Sequence, residues 1–194
     1  FGQTAIYTVN TTTAATQSGT IPSGAGHTYS QTFGTAKQIT NGNSATLTLT
    51  GYAGYRITSI ELEMKSNTSA GAGTLSVVAG STTIASVSPA ANFSTASWNG
   101  AYSTTYVNVT KTPIAYDITT GQNVVITIAA TVNSLYIQKY TINYVPAGYT
   151  VTFNANGGTG TMANQTASGS TNLTLNTFTR AGYTFAGWNT AADG

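Results

Sequence analysis

The clearest pattern along the chain is alternation. In "ITSIELEMK", residues 57–65, Ile57, Ser59, Glu61 and Glu63 fall on one side of an extended strand, and Thr58, Ile60, Leu62 and Met64 fall on the other. The second side is the expected buried one. A slip of one residue would bury both glutamates, at a cost of several kcal/mol per unpaired ion, so the register is well specified.

The same period of two, with β-branched residues and frequent Gly or Asn breaks, recurs along the chain. It predicts strands at "ATLTLT" (45–50), "YRITSIELEMKS" (55–66), "TLSVVAG" (74–80), "TTIASV" (82–87), "YVNVT" (106–110), "NVVITIAAT" (123–131) and "SLYIQKYTINYV" (134–145). The opening "FGQTAIYTV" also enters the pattern at once, as a mature exported chain does after loss of a leader. Between the strands lie turn signals such as "NGN", "SAGAG", "AGS", "WNG" and "TTGQ". No stretch carries a helical stripe. The expected fold class is all-β, and many strands at short spacing predict a two-sheet sandwich with a shared core. On the last strand, Tyr136, Tyr140, Ile142 and Tyr144 share a face and are expected in the core or in packing between domains.

At "YVPAGY", residues 144–149, Pro146 and Gly148 end that strand and a second pattern begins. The division expected is a sandwich domain over 1–146 and a smaller module over 147–194, joined by a short linker.

Composition narrows the function classes. Only 5% of the 194 residues are charged, against about 25% in a typical globular domain, and Thr, Ser, Asn and Gly take their place. Six Lys and Arg against four Asp and Glu give a net charge of +2, and the cations are scattered. Such a surface has no basic patch for nucleic acid. There is no cysteine, hence no disulfide framework, thiol nucleophile or thiolate metal site. No apolar run approaches the roughly 20 residues that span a bilayer as a helix. Low charge removes one barrier to self-association.

The C-terminal stretch "YTVTFNANGGTGTMANQTASGSTNLTLNTFTRAGYTFAGWNTAADG" alternates Tyr149, Val151 and Phe153 onto one face, then offers the positive-φ formers Asn156, Gly157 and Gly158. Tyr183 and Phe185 alternate again, and Trp188 is placed to close a small core. The stretch resembles the Listeria and Bacteroides repeat, or internalin B-repeat, a β-grasp-like module of bacterial surface proteins. The likeness rests on Tyr149, Val151, Thr152, Phe153, "NANGG" (154–158), Thr177, Phe178, Arg180, "GY" (182–183), Phe185, "GWN" (187–189) and "DG" (193–194). A departure is "TMANQ" (161–165), where the family more often has Pro after Met. The resemblance implies an incomplete repeat with an unpaired sheet edge, able to take a strand from further repeats of a longer chain or from another molecule. The N-terminal part, through "ATLTLTGYAGYRITSIELEMKSNTSAGAGTLSVVAG" and "VVITIAATVNSLYIQKYTINY", is similar to jelly-roll-like accessory modules of secreted Bacteroidetes proteins.

Candidate chemistry is sparse. His27, the single histidine, is expected in the Gly-rich loop "SGAGHTYS" and would need Asp117 beside it to act as a base, with no G-x-S-x-G elbow in the sequence. Glu61 and Glu63 project about 7 Å apart on one strand, near a glycosidase spacing, but along an exposed face next to Lys65. Asp117 and Asp193 are isolated, so no metal or cofactor is expected, a calcium ion on backbone carbonyls and Asn side chains being the open alternative. "GAGTLS" and "GGTGTM" lack the Lys of a phosphate loop. Aromatics beside amides are the remaining candidates: Trp98, Asn99, Tyr102 and Tyr106 in "SWNGAYSTTY", with Tyr52 and Tyr55 as a second pair, form potential sugar contacts. The expected function is a non-enzymatic module of a secreted, cell-surface protein (adhesin, stalk or extracellular filament subunit). Its alternatives are a carbohydrate-binding module and the accessory region of a larger secreted hydrolase.

Overall fold

The computed structural model describes residues 2–35, 37–66, 71–87, 107–168 and 170–191. These residues form strands and no helix. The chain divides into two compact units, Phe1–Val145 and Pro146–Gly194.

The first unit is a sandwich of two antiparallel sheets. One runs β2 (Ala14–Gly19), β1 (Gln3–Thr11), β11 (Leu135–Pro146), β6 (Tyr55–Ser66), β9 (Val107–Asp117), with β4 (Gln38–Ile39) paired to the start of β11. The other runs β3 (Gly26–Gln31), β5 (Ser44–Thr50), β10 (Val124–Val132), β7 (Ala72–Ala79), β8 (Thr82–Val87). With the additions β2, β3 and β4 set aside, eight strands remain, ordered β1-β11-β6-β9 and β5-β10-β7-β8. This is the strand order of a double-sheet jelly roll.

The core follows from alternation. Ala45, Leu47 and Leu49 on β5, Leu75, Val77 and Ala79 on β7, and Val124, Ile126 and Ile128 on β10 all turn inward and are buried, opposite Ala5, Tyr7 and Val9 of β1. Each buried Val, Leu or Ile among them contributes about 1.5–3 kcal/mol of transfer free energy. On β6, Ile60, Leu62 and Met64 are buried as the alternation predicts, but so is Ile57, assigned above to the outer face. The inward set changes phase between Ile57 and Ile60, where pairing with β9 also shifts register. A bulge there lets both isoleucines reach the core.

A similar slip corrects the reading of β11. Leu135 and Ile137 are buried, Gln138 and Lys139 are not, and Tyr140, Ile142 and Tyr144 are buried again. The phase changes where β11 leaves β4 and begins to pair with β1. Tyr136 is thereby turned to the outer face, where the Lys65 ammonium lies 5.0 Å from its ring centre.

The largest fully buried side chains are tyrosines: Tyr7, Tyr52, Tyr140 and Tyr144. The hydroxyls of Tyr7 and Tyr52 are 2.9 Å apart, Tyr144 donates to the Thr20 carbonyl at 2.9 Å, and the Tyr52 and Tyr55 rings each meet Tyr144 edge-on at 5.3 Å. Tyr52, read above as a possible sugar contact, is fully buried, and Tyr55 packs against the core. Tyr140 differs from the others: its buried hydroxyl meets no partner among the described residues. Such a group bears a desolvation cost that no bond offsets. Tyr140→Phe is therefore expected to raise stability by about 1 kcal/mol, read as a higher urea midpoint with unchanged slope.

Candidate functional site

The candidates in the sandwich are engaged in holding it together. His27 lies on β3 rather than in a loop: its Nε2 donates to the Ala15 carbonyl at 2.9 Å, its Nδ1 meets the Gln17 side-chain amide at 3.0 Å, and its ring packs 4.9 Å from that of Tyr7. The imidazole ties β3 to β2. Asp117 is joined to Arg56 in a two-pronged pair of 2.6 and 2.8 Å, and the adjacent guanidinium holds its carboxyl below the usual range. The histidine and the aspartate therefore make no catalytic pair.

Glu61 and Glu63 belong to a polar ladder across the outer face of the first sheet. Asn143 donates to Glu61 Oε1 and to Ser59 Oγ, each at 2.9 Å, and accepts from Thr4 Oγ1 at 2.8 Å. Gln138 donates to Glu63 Oε1 at 2.6 Å, and the Lys139 ammonium pairs with Glu63 Oε2. These bonds run from strand to strand and orient both carboxylates along the sheet. Among the described residues, no three His, Asp or Glu side chains gather to hold a metal ion. The predicted platform Trp98, Asn99, Tyr102 and Tyr106 lies outside the described residues.

A concave feature lies in the second unit. Here β12 (Gly148–Val151) pairs with β13 (Gln165–Ser168) in a two-stranded sheet. The turn after β12 is built as the sequence suggests: Asn156 and Gly157 take φ of 45° and 81°, and Asn154 Oδ1 accepts from the Asn156 amide at 2.8 Å. An isolated bridge, Thr159 to Thr179, brings the next segment alongside. Trp188 collects the rings of Phe153, Phe185 and Phe178 at 4.6, 4.9 and 6.2 Å and donates from Nε1 to the Thr174 carbonyl at 3.1 Å. Trp188 thus gathers the rings as expected, but it stays partly exposed and does not close a core.

The strand expected at Tyr183 and Phe185 is not formed. Gly182, at φ 79°, sits in a turn closed by the Tyr183 amide to the Arg180 carbonyl at 3.1 Å. Arg180 then lies 4.1 Å over the Tyr183 ring, which stays 68% exposed, while Phe185 leans on Trp188. These local contacts take the place of a ladder. No described residue of this unit is fully buried. Its rings border an open cleft of about 1170 Å³, with Phe153, Phe178, Phe185 and Trp188 on the walls and Arg180 with Tyr183 at the side. The lining offers ring faces, amides and one guanidinium, a set suited to contact and hydrogen bonding rather than proton transfer.

The Arg180–Tyr183 stack and the Tyr7–Tyr52 pair were not anticipated from sequence. The three-residue spacing around Gly182 carries a signal for the first, whereas the second joins residues 45 apart and leaves none. Among the described residues, no helix is long and apolar enough to cross a membrane. No curated protein and no solved structure matches the chain. Residues 149–194, the part that forms the aromatic cleft, match the Listeria-Bacteroides repeat domain, a family found in surface and secreted bacterial proteins.

Proposed function

We propose that this chain is a non-enzymatic structural and adhesive part of a bacterial cell-surface protein, serving as adhesin, stalk or filament subunit. The observation that carries the reading is the repeat match over residues 149–194. The sandwich supports it, because its candidate acids and its histidine are bound into strand-to-strand contacts. Deleting the gene in the source bacterium tests it. Loss of attachment or of cell-to-cell clumping, with growth on polysaccharides unchanged, is the expected result. A strain that attaches normally but fails to degrade one polymer would instead mark the chain as part of a hydrolase.

The cleft beside Trp188 favours a second reading, glycan binding, in which ring faces stack on sugar C–H groups and amides meet hydroxyls. Its signature is glycan-array binding that disappears in Tyr183→Ala, an exposed site whose change leaves folding intact.

A further inference from the structure

The charges of the sandwich are segregated. Its eight ionic side chains are Lys37, Arg56, Glu61, Glu63, Lys65, Lys111, Asp117 and Lys139, and seven of them stand on β6, β9 and β11. Lys37 stands beside β4, in the same sheet. The five strands β3, β5, β10, β7 and β8 of the opposite sheet contain no Asp, Glu, Lys or Arg.

The outer face of that uncharged sheet is laid out in rows. Register places Ser30 beside Thr46, Thr46 beside Thr127, Thr127 beside Ser76 and Ser76 beside Ser86, one hydroxyl residue on each of the five strands. The neighbouring row runs Thr28, Thr48, Val125, Val78, Thr83. The hydroxyls of Thr46 and Thr127 lie 3.5 Å apart, and both side chains are partly exposed, since the buried set is Leu47, Leu49, Ile126 and Ile128. Rows follow one another at about 4.8 Å across strands and about 6.8 Å along them.

From this face we infer that copies of the chain pack against each other, uncharged sheet to uncharged sheet. A hydroxyl both donates and accepts, so an identical array supplies the complement of each position, and Thr methyls with Val78 and Val125 add apolar contact. A two-fold axis through the face brings no ion into the interface and no like charges together. On the other sheet, the same operation would take the charged side chains of Glu61, Glu63, Lys65 and Lys139 out of water, at a desolvation cost. A face five strands wide and about seven residues long buries roughly 1,000 Å² in a pair, the lower limit for a specific interface, so the association is weak and concentration-dependent. The inference rests on the filament-subunit reading in the proposed function and deepens it by naming a surface through which copies associate. Display on the cell by a chain that never pairs would defeat the inference and leave that reading standing.

The test is light scattering and sedimentation of the full chain over a concentration series, at low and high salt, for wild type, Thr127→Lys, Ser76→Lys and Thr141→Lys. Thr127 and Ser76 lie on the proposed face; Thr141, on β11, lies on the opposite one. The expected result is a reversible wild-type dimer, insensitive to salt. Thr127→Lys and Ser76→Lys each weaken it by at least about tenfold at unchanged melting temperature, and Thr141→Lys leaves it intact. If one lysine variant fails to fold, the other carries the comparison. A monomer at every concentration, association that salt dissolves, or equal loss in Thr141→Lys would overturn the inference. So would a monomeric chain that binds a neutral glycan through Thr127 and Ser76.

Discussion

Tyr7→Ala removes most of the sandwich's stability. Tyr7 is fully buried on β1, its ring meets His27, and its hydroxyl pairs with that of Tyr52. Truncating a buried aromatic costs about 3–5 kcal/mol, because surrounding strands cannot collapse into the space. The change also strands the Tyr52 hydroxyl inside the core, a further penalty of about 1–3 kcal/mol. A domain is stable by only about 5–15 kcal/mol, so the variant sits at or near the edge of unfolding at room temperature. Tyr7→Phe separates the two contributions: it keeps the ring, loses only the hydroxyl pair, and should fall between wild type and alanine in urea denaturation. An alanine variant within about 1 kcal/mol of wild type would contradict the burial described here.

The second large effect is alkaline unfolding. Burial pushes the phenols of Tyr7, Tyr52, Tyr140 and Tyr144 above their ordinary value. In an unfolded chain tyrosine ionises near pH 10, whereas the folded core keeps these four protonated to higher pH. Below about pH 10 neither state ionises and stability is at its full value. Above it the unfolded state alone sheds protons, so stability falls with each further unit. Tyrosinate absorbance from the core is therefore expected to appear together with loss of the β-sheet circular-dichroism signal, in one cooperative step. Core tyrosines that ionise near pH 10 while the sheet signal persists would contradict it. On the acid side the linkage runs the other way. Asp117, held low by Arg56, adds stability above the unfolded carboxylate range and loses it as pH falls, but the pair is exposed and its share is small.

Where one physical signal dominates, sequence and structure agree closely. β6 and β8 match the predicted strands in their bounds, and on β6 Ile60, Leu62 and Met64 keep the buried face that the alternation predicts. Phase slips are harder to see. The bulge that brings Ile57 inward and the phase change that turns Tyr136 outward depend on which strand lies alongside, and nothing at those positions announces a new neighbour. β2 and β3, rich in Thr, Ser and Gln, have too few apolar residues to show a buried side, so His27 was assigned to a loop. The second half of β9 was missed because it carries Lys111 and Pro113; β9 is an edge strand, where proline is tolerated. In the repeat, Trp188 was legible as a hub because it is the largest apolar residue near two alternating rings. The turn at Gly182 was not, since it competes with the same alternation that suggested a strand.

The proposed role is architecture outside the cell. Labelling intact, unpermeabilised cells of the source bacterium with an antibody raised against the sandwich is the most direct measurement of that. A chain with that role gives label on untreated cells, removed by external protease. Label that appears only after the cells are broken open would contradict it.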